Sequence, residues 1–300
     1  MTRRTALKTT ALSIAGIGTL AGTGNAHDLC CCIPVEDCHH DMQTYAGQFT
    51  LGYEDWTLEK SDWDYNDFLL TVDASYTVTE AMDNTANVTE MTLKVVPQAR
   101  GGGANHSWHL LFSGDLLCSG GTYEITVKDQ SGEPIGAKSS DGSFEAESEL
   151  DLEVFPDTAD FLTDLQNGEP PEKFDGCTMA TEMATISLSF DSPCTIDLPD
   201  SELLGTHGEG LFFDPYLHQK MDGTEIHQDD IRMLVVPEQW RWPLGNVHIA
   251  DAYADVSRGH HPDEYKCAKP VFESSDWYKS RNILDSSLVT ECTYTADDFS

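Results

Sequence analysis

The segment that begins at Phe68 alternates apolar and polar side chains as far as Val78. Its even-numbered positions are apolar, and most of its odd-numbered positions are polar. Because successive side chains of a β-strand point to opposite faces of the sheet, this period of two predicts a strand with one buried face. The predicted inward-facing residues are Phe68, Leu70, Val72, Ala74, Tyr76 and Val78.

The same alternation returns along the chain, and clusters of Gly and Pro separate the repeats. It is present in residues 91–95, 123–127, 150–154 and 186–190. The continuous apolar run 233–236 predicts a more deeply buried strand, and the one helical candidate is the short acidic segment 158–165. Many strands with little helix predict an all-β fold: an elaborated antiparallel β-sandwich, jelly-roll-like, with long loops.

The first residues of the chain carry an export signal. Arg3 and Arg4 form a twin-arginine pair, residues 11–21 are weakly apolar, and Ala26 ends a small-residue cleavage site. We therefore predict a Tat signal peptide over residues 1–26, with export to the cell surface or the extracellular space. A Cys/His-rich segment (27–46) and one sandwich domain (47–300) are expected to follow, and no later stretch is apolar for long enough to span a membrane.

The charge of the chain limits its partners and its environment. Seventeen basic and 52 acidic residues give a formal net charge of −35, which excludes nucleic acid as an expected partner because phosphates would be repelled. The acidic residues are spread along the chain, as suits a haloarchaeal protein in high salt, where charges are screened. Nine cysteines fit an oxidising compartment, but their pairing stays open. Asn87 and Asn105 begin possible glycosylation sequons.

The acidic loop before the first alternating strand is the strongest candidate for a chemical site. Side-chain oxygens at alternate positions of a short loop can converge on a Ca²⁺ ion. The loop is not an EF-hand, because its sixth position is not Gly and a strand follows it. The alternative is an acidic loop that hydrogen-bonds its own backbone. The predicted ligands are Asp62, Asp64, Asn66, Asp67, Glu54 and Asp55.

An ordered set of short motifs resembles the LruC domain family. The set covers residues 48–278 and comprises Glu54-Asp55-Trp56, the run 62–67 with its following strand, 103–108, Glu225-Ile226-His227, 236–243 and Asp276-Trp277-Tyr278. The resemblance implies an exported or surface-associated protein, and it implies no reaction. The Cys/His-rich N-terminus and the additional acidic residues depart from the family pattern.

Two other constellations offer alternative functions. His106, Glu225 and His227 could together bind a transition metal in a metalloenzyme, or they could brace strand ends. Trp240 and Trp242 share one face of an extended segment, so they could stack sugars in a carbohydrate-binding module, or they could pack in the core.

The N-terminal Cys/His-rich segment could hold a soft metal, although disulfides are the more ordinary use of its cysteines.

The sequence as a whole favours a non-enzymatic, exported β-sandwich protein. We expect a structural Ca²⁺ in the acidic loop and a role in surface interaction or adhesion, with a protein or glycan of unknown identity as the partner.

Overall fold

All of the strands predicted from the apolar patterns are present in the computed structural model. The structure describes residues 43–55, 61–82, 85–101, 104–158, 180–197, 211–237, 240–259, 270–291, 293 and 295–299. The predicted signal peptide, most of the Cys/His-rich segment, and the helical candidate beyond Thr158 lie outside the described residues.

Thirteen strands make up most of the described chain. They are β1 (Gln43–Tyr53), β2 (Phe68–Met82), β3 (Thr85–Ala99), β4 (His106–Phe112), β5 (Gly121–Asp129), β6 (Ser140–Phe144), β7 (Leu150–Phe155), β8 (Glu182–Asp197), β9 (Asp214–Gln219), β10 (Glu225–Ile226), β11 (Met233–Pro237), β12 (Val256–Arg258) and β13 (Pro270–Phe272). The described helices are short: α1 (Ile249–Ala252) and the 3-10 turns Ser280–Asn282, Ser286–Leu288 and Ala296–Asp298.

Two antiparallel sheets form the sandwich. The larger has the strand order β11-β1-β2-β3-β8-β5-β6, and the smaller has the order β10-β9-β4-β7. The pair β12-β13 forms a separate ribbon. The predicted all-β, antiparallel sandwich is therefore confirmed.

The main core lies between the two sheets and uses the alternating residues of each strand. Leu70 and Val72 of β2 are fully buried, as are Trp108 and Leu110 of β4 on the smaller sheet. The polar end of Trp108 is satisfied inside this core, because its indole N–H donates to the Tyr53 hydroxyl at 3.0 Å. Burial of large apolar side chains of this kind is the main driving force for folding of the sandwich.

A second apolar cluster covers the outer face of the larger sheet near β11, β1, β2 and β3. Leu69, Leu234 and Val236 point away from the main core and pack there against residues of the C-terminal segment. We call this set the outer cluster; its other fully packed members are Trp63, Tyr65, Ala99, Trp240, Trp242, Ile249, Ala252, Tyr253, Val256, Trp277 and Val289. Because β11 is buried on both faces, its sequence is continuously apolar rather than alternating.

One disulfide links two segments that are distant in the sequence. Cys118, in the loop after β4, bonds to the buried Cys194 in β8, 76 residues away in the chain. The other seven cysteines lie outside the described residues.

Candidate metal centre

The acidic loop closes the hairpin between β1 and β2. Tyr53, the last residue of β1, is directly opposite Phe68, the first residue of β2. Glu54 and Asp67 therefore leave the two strands side by side, although they are far apart in the loop sequence. This pairing explains how residues at the two ends of the loop come into contact.

Two aromatic side chains anchor the middle of the loop. Trp63 and Tyr65 are both buried in the outer cluster. Both residues have left-handed backbone conformations, with φ of +57° and +55°. A non-glycine residue in this region costs roughly 1–2 kcal/mol, so the surrounding packing must hold the loop in this shape.

Three carboxylates meet between these anchors. Glu54, Asp62 and Asp64 each place one carboxylate oxygen within 4.8 Å of the other two. Glu54 is fully buried, Asp64 is 2% exposed, and Asp62 is half-buried. Among the described residues, no Lys, Arg or His nitrogen lies within ion-pair distance of these three groups. Glu54, Asp62 and Asp64 are hereafter called the carboxylate triad.

Neutral donors hold two members of the triad in place. Glu54 accepts hydrogen bonds from the Tyr65 backbone N–H at 2.6 Å and from the Ser61 hydroxyl. Asp64 accepts from the backbone N–H groups of Asn66 at 3.1 Å and Asn246 at 2.8 Å. Each of these bonds goes to a different oxygen, and a carboxylate oxygen has two acceptor sites, so each oxygen retains capacity to bind a cation.

The electrostatics of the triad disfavour three negative charges without a counter-ion. Burial raises the pKa of Glu54 well above its usual range, and the charges of Asp64 and Asp62 raise it further. Burial raises the pKa of Asp64 well above its usual range, and the charges of Asp62 and Asp67 raise it further. Burial also raises the pKa of Asp62. A bound cation would remove both causes, because it replaces lost hydration and neutralises mutual repulsion.

The other three predicted ligands contact residues around the triad. Asp55 faces His106, with 3.4 Å between Oδ2 and Nε2, and its charge acts on the buried Arg100. Asp67 accepts a hydrogen bond from the Asp55 backbone N–H at 2.7 Å. Asn66 donates from Nδ2 to the Pro243 carbonyl at 2.9 Å. The structure thus brings three of the six predicted residues together and places the other three in contact with neighbouring residues.

Sequence reasoning missed several residues that shape the site. Ser61 adjoins the acidic run, so its position was a usable signal. Asn246 was not foreseeable, since it is 182 residues from Asp64 and only the fold brings it close. Gly52 is needed because a Cβ there would lie 2.7 Å from the Tyr65 carbonyl oxygen.

The predicted histidine constellation does not assemble. His106 faces the interior of the sandwich and is fully buried. Glu225 and His227 instead lie on the solvent side of the smaller sheet, with side chains 48% and 30% exposed. The two groups are separated by the sheet, so a metalloenzyme site built from His106, Glu225 and His227 is wrong.

The two tryptophans predicted to stack sugars are buried. Trp240 and Trp242 are 0% and 1% exposed, and both pack in the outer cluster. Trp240 meets the Trp277 ring edge-to-face at 5.6 Å between centroids. A carbohydrate-binding module that uses these two rings is therefore ruled out by their burial, because stacking needs an exposed ring face.

Comparison with known proteins gives a distant structural similarity. No family model matches the chain, and no curated protein matches it. The chain is similar to the crystal structure of a predicted lipoprotein from Bacteroides ovatus, with 14% identity over 74% of this chain and 72% of that one. The TM-score is 0.46, which is too low to carry an argument about function. The LruC resemblance stays a prediction.

In the described part of the chain, no helix is long and apolar enough to cross a membrane.

Proposed function

We propose that this protein is a non-enzymatic, exported β-sandwich whose carboxylate triad binds a structural Ca²⁺. The observation that carries the proposal is the convergence of Glu54, Asp62 and Asp64 within 4.8 Å, largely buried and without a described counter-ion. Isolated buried charges are costly, so such groups are normally paired, protonated or bound to a metal.

The chemistry of the three ligands favours Ca²⁺ over softer metals. All three offer hard carboxylate oxygens, which are the ligands that Ca²⁺ and Mg²⁺ prefer, and none offers sulfur or imidazole. Ca²⁺ takes six to eight oxygens in flexible geometry, so waters or backbone oxygens would complete its shell. The half-buried Asp62 leaves a route from solvent for the ion.

A cation at the triad would connect several parts of the fold. Glu54 continues β1, Asp64 stands between the two anchored aromatic residues, and Asn246 bonds to Asp64 from the segment before α1. Binding would therefore hold the loop against both the sandwich and the covering C-terminal segment. This role is one of stabilisation, and it leaves the exposed face of the smaller sheet for interaction with a partner.

Two features support an exported location. The N-terminal twin-arginine sequence is one, and the Cys118–Cys194 disulfide is the other, because disulfides persist in oxidising compartments. We propose a surface-interaction or adhesive role at the cell surface. Replacing Arg3 and Arg4 by Lys should retain the protein inside the cell, and normal export of this variant would refute the Tat route.

Thermal unfolding with and without Ca²⁺ tests the metal. At fixed ionic strength, a ligand at 100 times its Kd stabilises the folded state by about 2.7 kcal/mol. For a domain of this size, that corresponds to a rise in Tm of roughly 5–10 °C. An equal concentration of Mg²⁺, and a chelator-treated sample, are the controls. An identical Tm in all three conditions would contradict the proposal.

A further inference from the structure

The solvent face of the smaller sheet carries a second group of potential ligands. Strand pairing places His218 directly opposite both Ser107 of β4 and Glu225 of β10, so these three side chains share one face. His109 and Tyr216 are also opposite each other, two positions along on the same face. His227 follows β10 and joins this face.

Glu225 stands between two imidazoles. Its Oε1 is 3.4 Å from Nδ1 of His218, and its Oε2 is 3.3 Å from Nε2 of His227. These separations are long for hydrogen bonds, which usually measure 2.7–3.2 Å. Each imidazole meets a different oxygen of Glu225, and the three residues do not place one ligand atom each within 4.8 Å of one another, so a shared metal requires side chains to turn towards it.

A carboxylate and an aromatic ring orient His227. Its Nδ1 lies 2.8 Å from Asp214 Oδ2, which directs the opposite nitrogen, Nε2, towards Glu225. The Tyr216 ring stacks on the imidazole at 4.6 Å between centroids and 24° between planes. The Asp214 carboxylate is itself fixed, because Oδ1 accepts from the Gln228 backbone N–H at 3.0 Å. A metal-binding histidine usually has an outer carboxylate partner of this kind.

We propose that His218, Glu225 and His227 bind a divalent transition metal such as Zn²⁺, with Asp214 and Tyr216 as positioning residues. Two imidazoles and one carboxylate suit Zn²⁺ or Cu²⁺, whereas Ca²⁺ prefers oxygen ligands alone. Binding requires His218 and Glu225 to turn towards Nε2 of His227, whose ring Asp214 and Tyr216 hold in place. The side chains of His218 and Glu225 are 35% and 48% exposed, so this rotation does not disturb the core.

The neighbouring His109 provides a control that includes the Tyr216 contact, because its ring stacks on Tyr216 at 4.7 Å between centroids. Its Nε2 is 2.8 Å from the Ser107 hydroxyl, and its Nδ1 is 3.2 Å from Asp151 Oδ1. Both of its nitrogens therefore already have partners that are not candidate ligands. It lies on the same sheet face and is 14% exposed, so a nonspecific effect of removing a surface histidine would appear there too.

Calorimetric titration of the Ca²⁺-saturated full chain with Zn²⁺ tests the site. Saturation with Ca²⁺ occupies the carboxylate triad, so failure of the Ca²⁺ proposal and failure of this one remain distinguishable. The variants His218→Gln and His227→Gln should each lose one binding equivalent, whereas His109→Gln should keep it. Asp214→Asn should weaken that equivalent by roughly 10- to 100-fold.

A spectroscopic readout complements the titration. Co²⁺ at the site should give the visible absorption of a tetrahedral complex, and this signal should be absent from His227→Gln. Circular dichroism establishes that each variant is folded. Unchanged stoichiometry and affinity in His218→Gln and His227→Gln, or an equal loss in His109→Gln, would overturn the proposal and assign any Zn²⁺ binding to other residues.

Discussion

Replacement of Asp64 by Asn distinguishes a cation-binding site from an acidic loop that bonds only to its own backbone. Asp64 lies within 4.8 Å of Glu54 and Asp62, and two unit charges at that distance repel by about 3.5 kcal/mol at an effective dielectric constant near 20. A carboxyl can avoid this cost by taking up a proton, which at pH 7 requires about 4 kcal/mol for a group of ordinary pKa. The penalty that Asp64 imposes on the metal-free protein is therefore at most about 4 kcal/mol.

The substitution also has a cost. The two oxygens of Asp64 accept hydrogen bonds from the backbone N–H groups of Asn66 and Asn246, and an amide can replace only one of these acceptors. The loss is roughly 1 kcal/mol. The net expectation is that Asp64→Asn stabilises the metal-free protein by about 1–3 kcal/mol and raises its Tm by roughly 3–9 °C.

Addition of Ca²⁺ should reverse the order of thermal stability of the wild type and Asp64→Asn. The wild type should gain stability on addition of Ca²⁺, whereas Asp64→Asn, with one ligand charge removed, should gain little. The assay is thermal unfolding of both proteins at constant ionic strength, with Ca²⁺ and after removal of metal. Asp141→Asn is the matched control, because Asp141 is an exposed acid on β6 and should change neither curve.

One result would refute the reasoning directly. If Asp64→Asn lowers the Tm equally with and without Ca²⁺, then Asp64 serves only as a hydrogen-bond acceptor for the loop. The acidic loop would then be a self-bonded turn without a cation.

Three further predictions concern pH, the loop backbone and the disulfide. The pKa of Glu54 is raised in the folded protein, so its contribution to stability is full below its unfolded pKa and is lost as pH rises through the folded value. By calorimetry, the metal-free protein should therefore melt at a lower temperature at pH 8 than at pH 5. The difference in Tm between the two pH values should be smaller in Asp64→Asn. Gly52→Ala should destabilise the protein by roughly 1–3 kcal/mol in urea unfolding, since the new Cβ meets the Tyr65 carbonyl oxygen; an unchanged midpoint would contradict the close approach. Cys118→Ser should cost about 2–4 kcal/mol in the same assay, whereas equal stability of both proteins under reducing and oxidising conditions would show that the bond adds nothing.

The fold was largely readable from the sequence because burial in a sandwich imposes its own periodicity. The alternation from Phe68 marks a strand with one face in the main core, and the continuous run at Met233 marks one covered on both faces. The residues that cover the second face of β11 could not be predicted from the sequence, since the outer cluster joins β11 to residues as distant as Trp277.

The sites were harder to predict because they depend on which face a side chain occupies and on distant neighbours. The acidic loop was visible in the sequence, but the convergence of Asp62 and Asp64 with Glu54 depends on the folded shape of the loop. His106 and His227 lie in segments that could meet on neighbouring strands, yet strand pairing places them on opposite sides of one sheet. The sequence also allowed an exposed ring at Trp240, but the structure buries it completely.

The most direct test of the central claim is a count of bound calcium. Equilibrium dialysis against Ca²⁺, followed by elemental analysis of the folded protein, should find one more tightly bound Ca²⁺ per chain in the wild type than in Glu54→Gln or Asp64→Asn. The same calcium content in all three proteins would contradict the assignment of the carboxylate triad as a Ca²⁺ site.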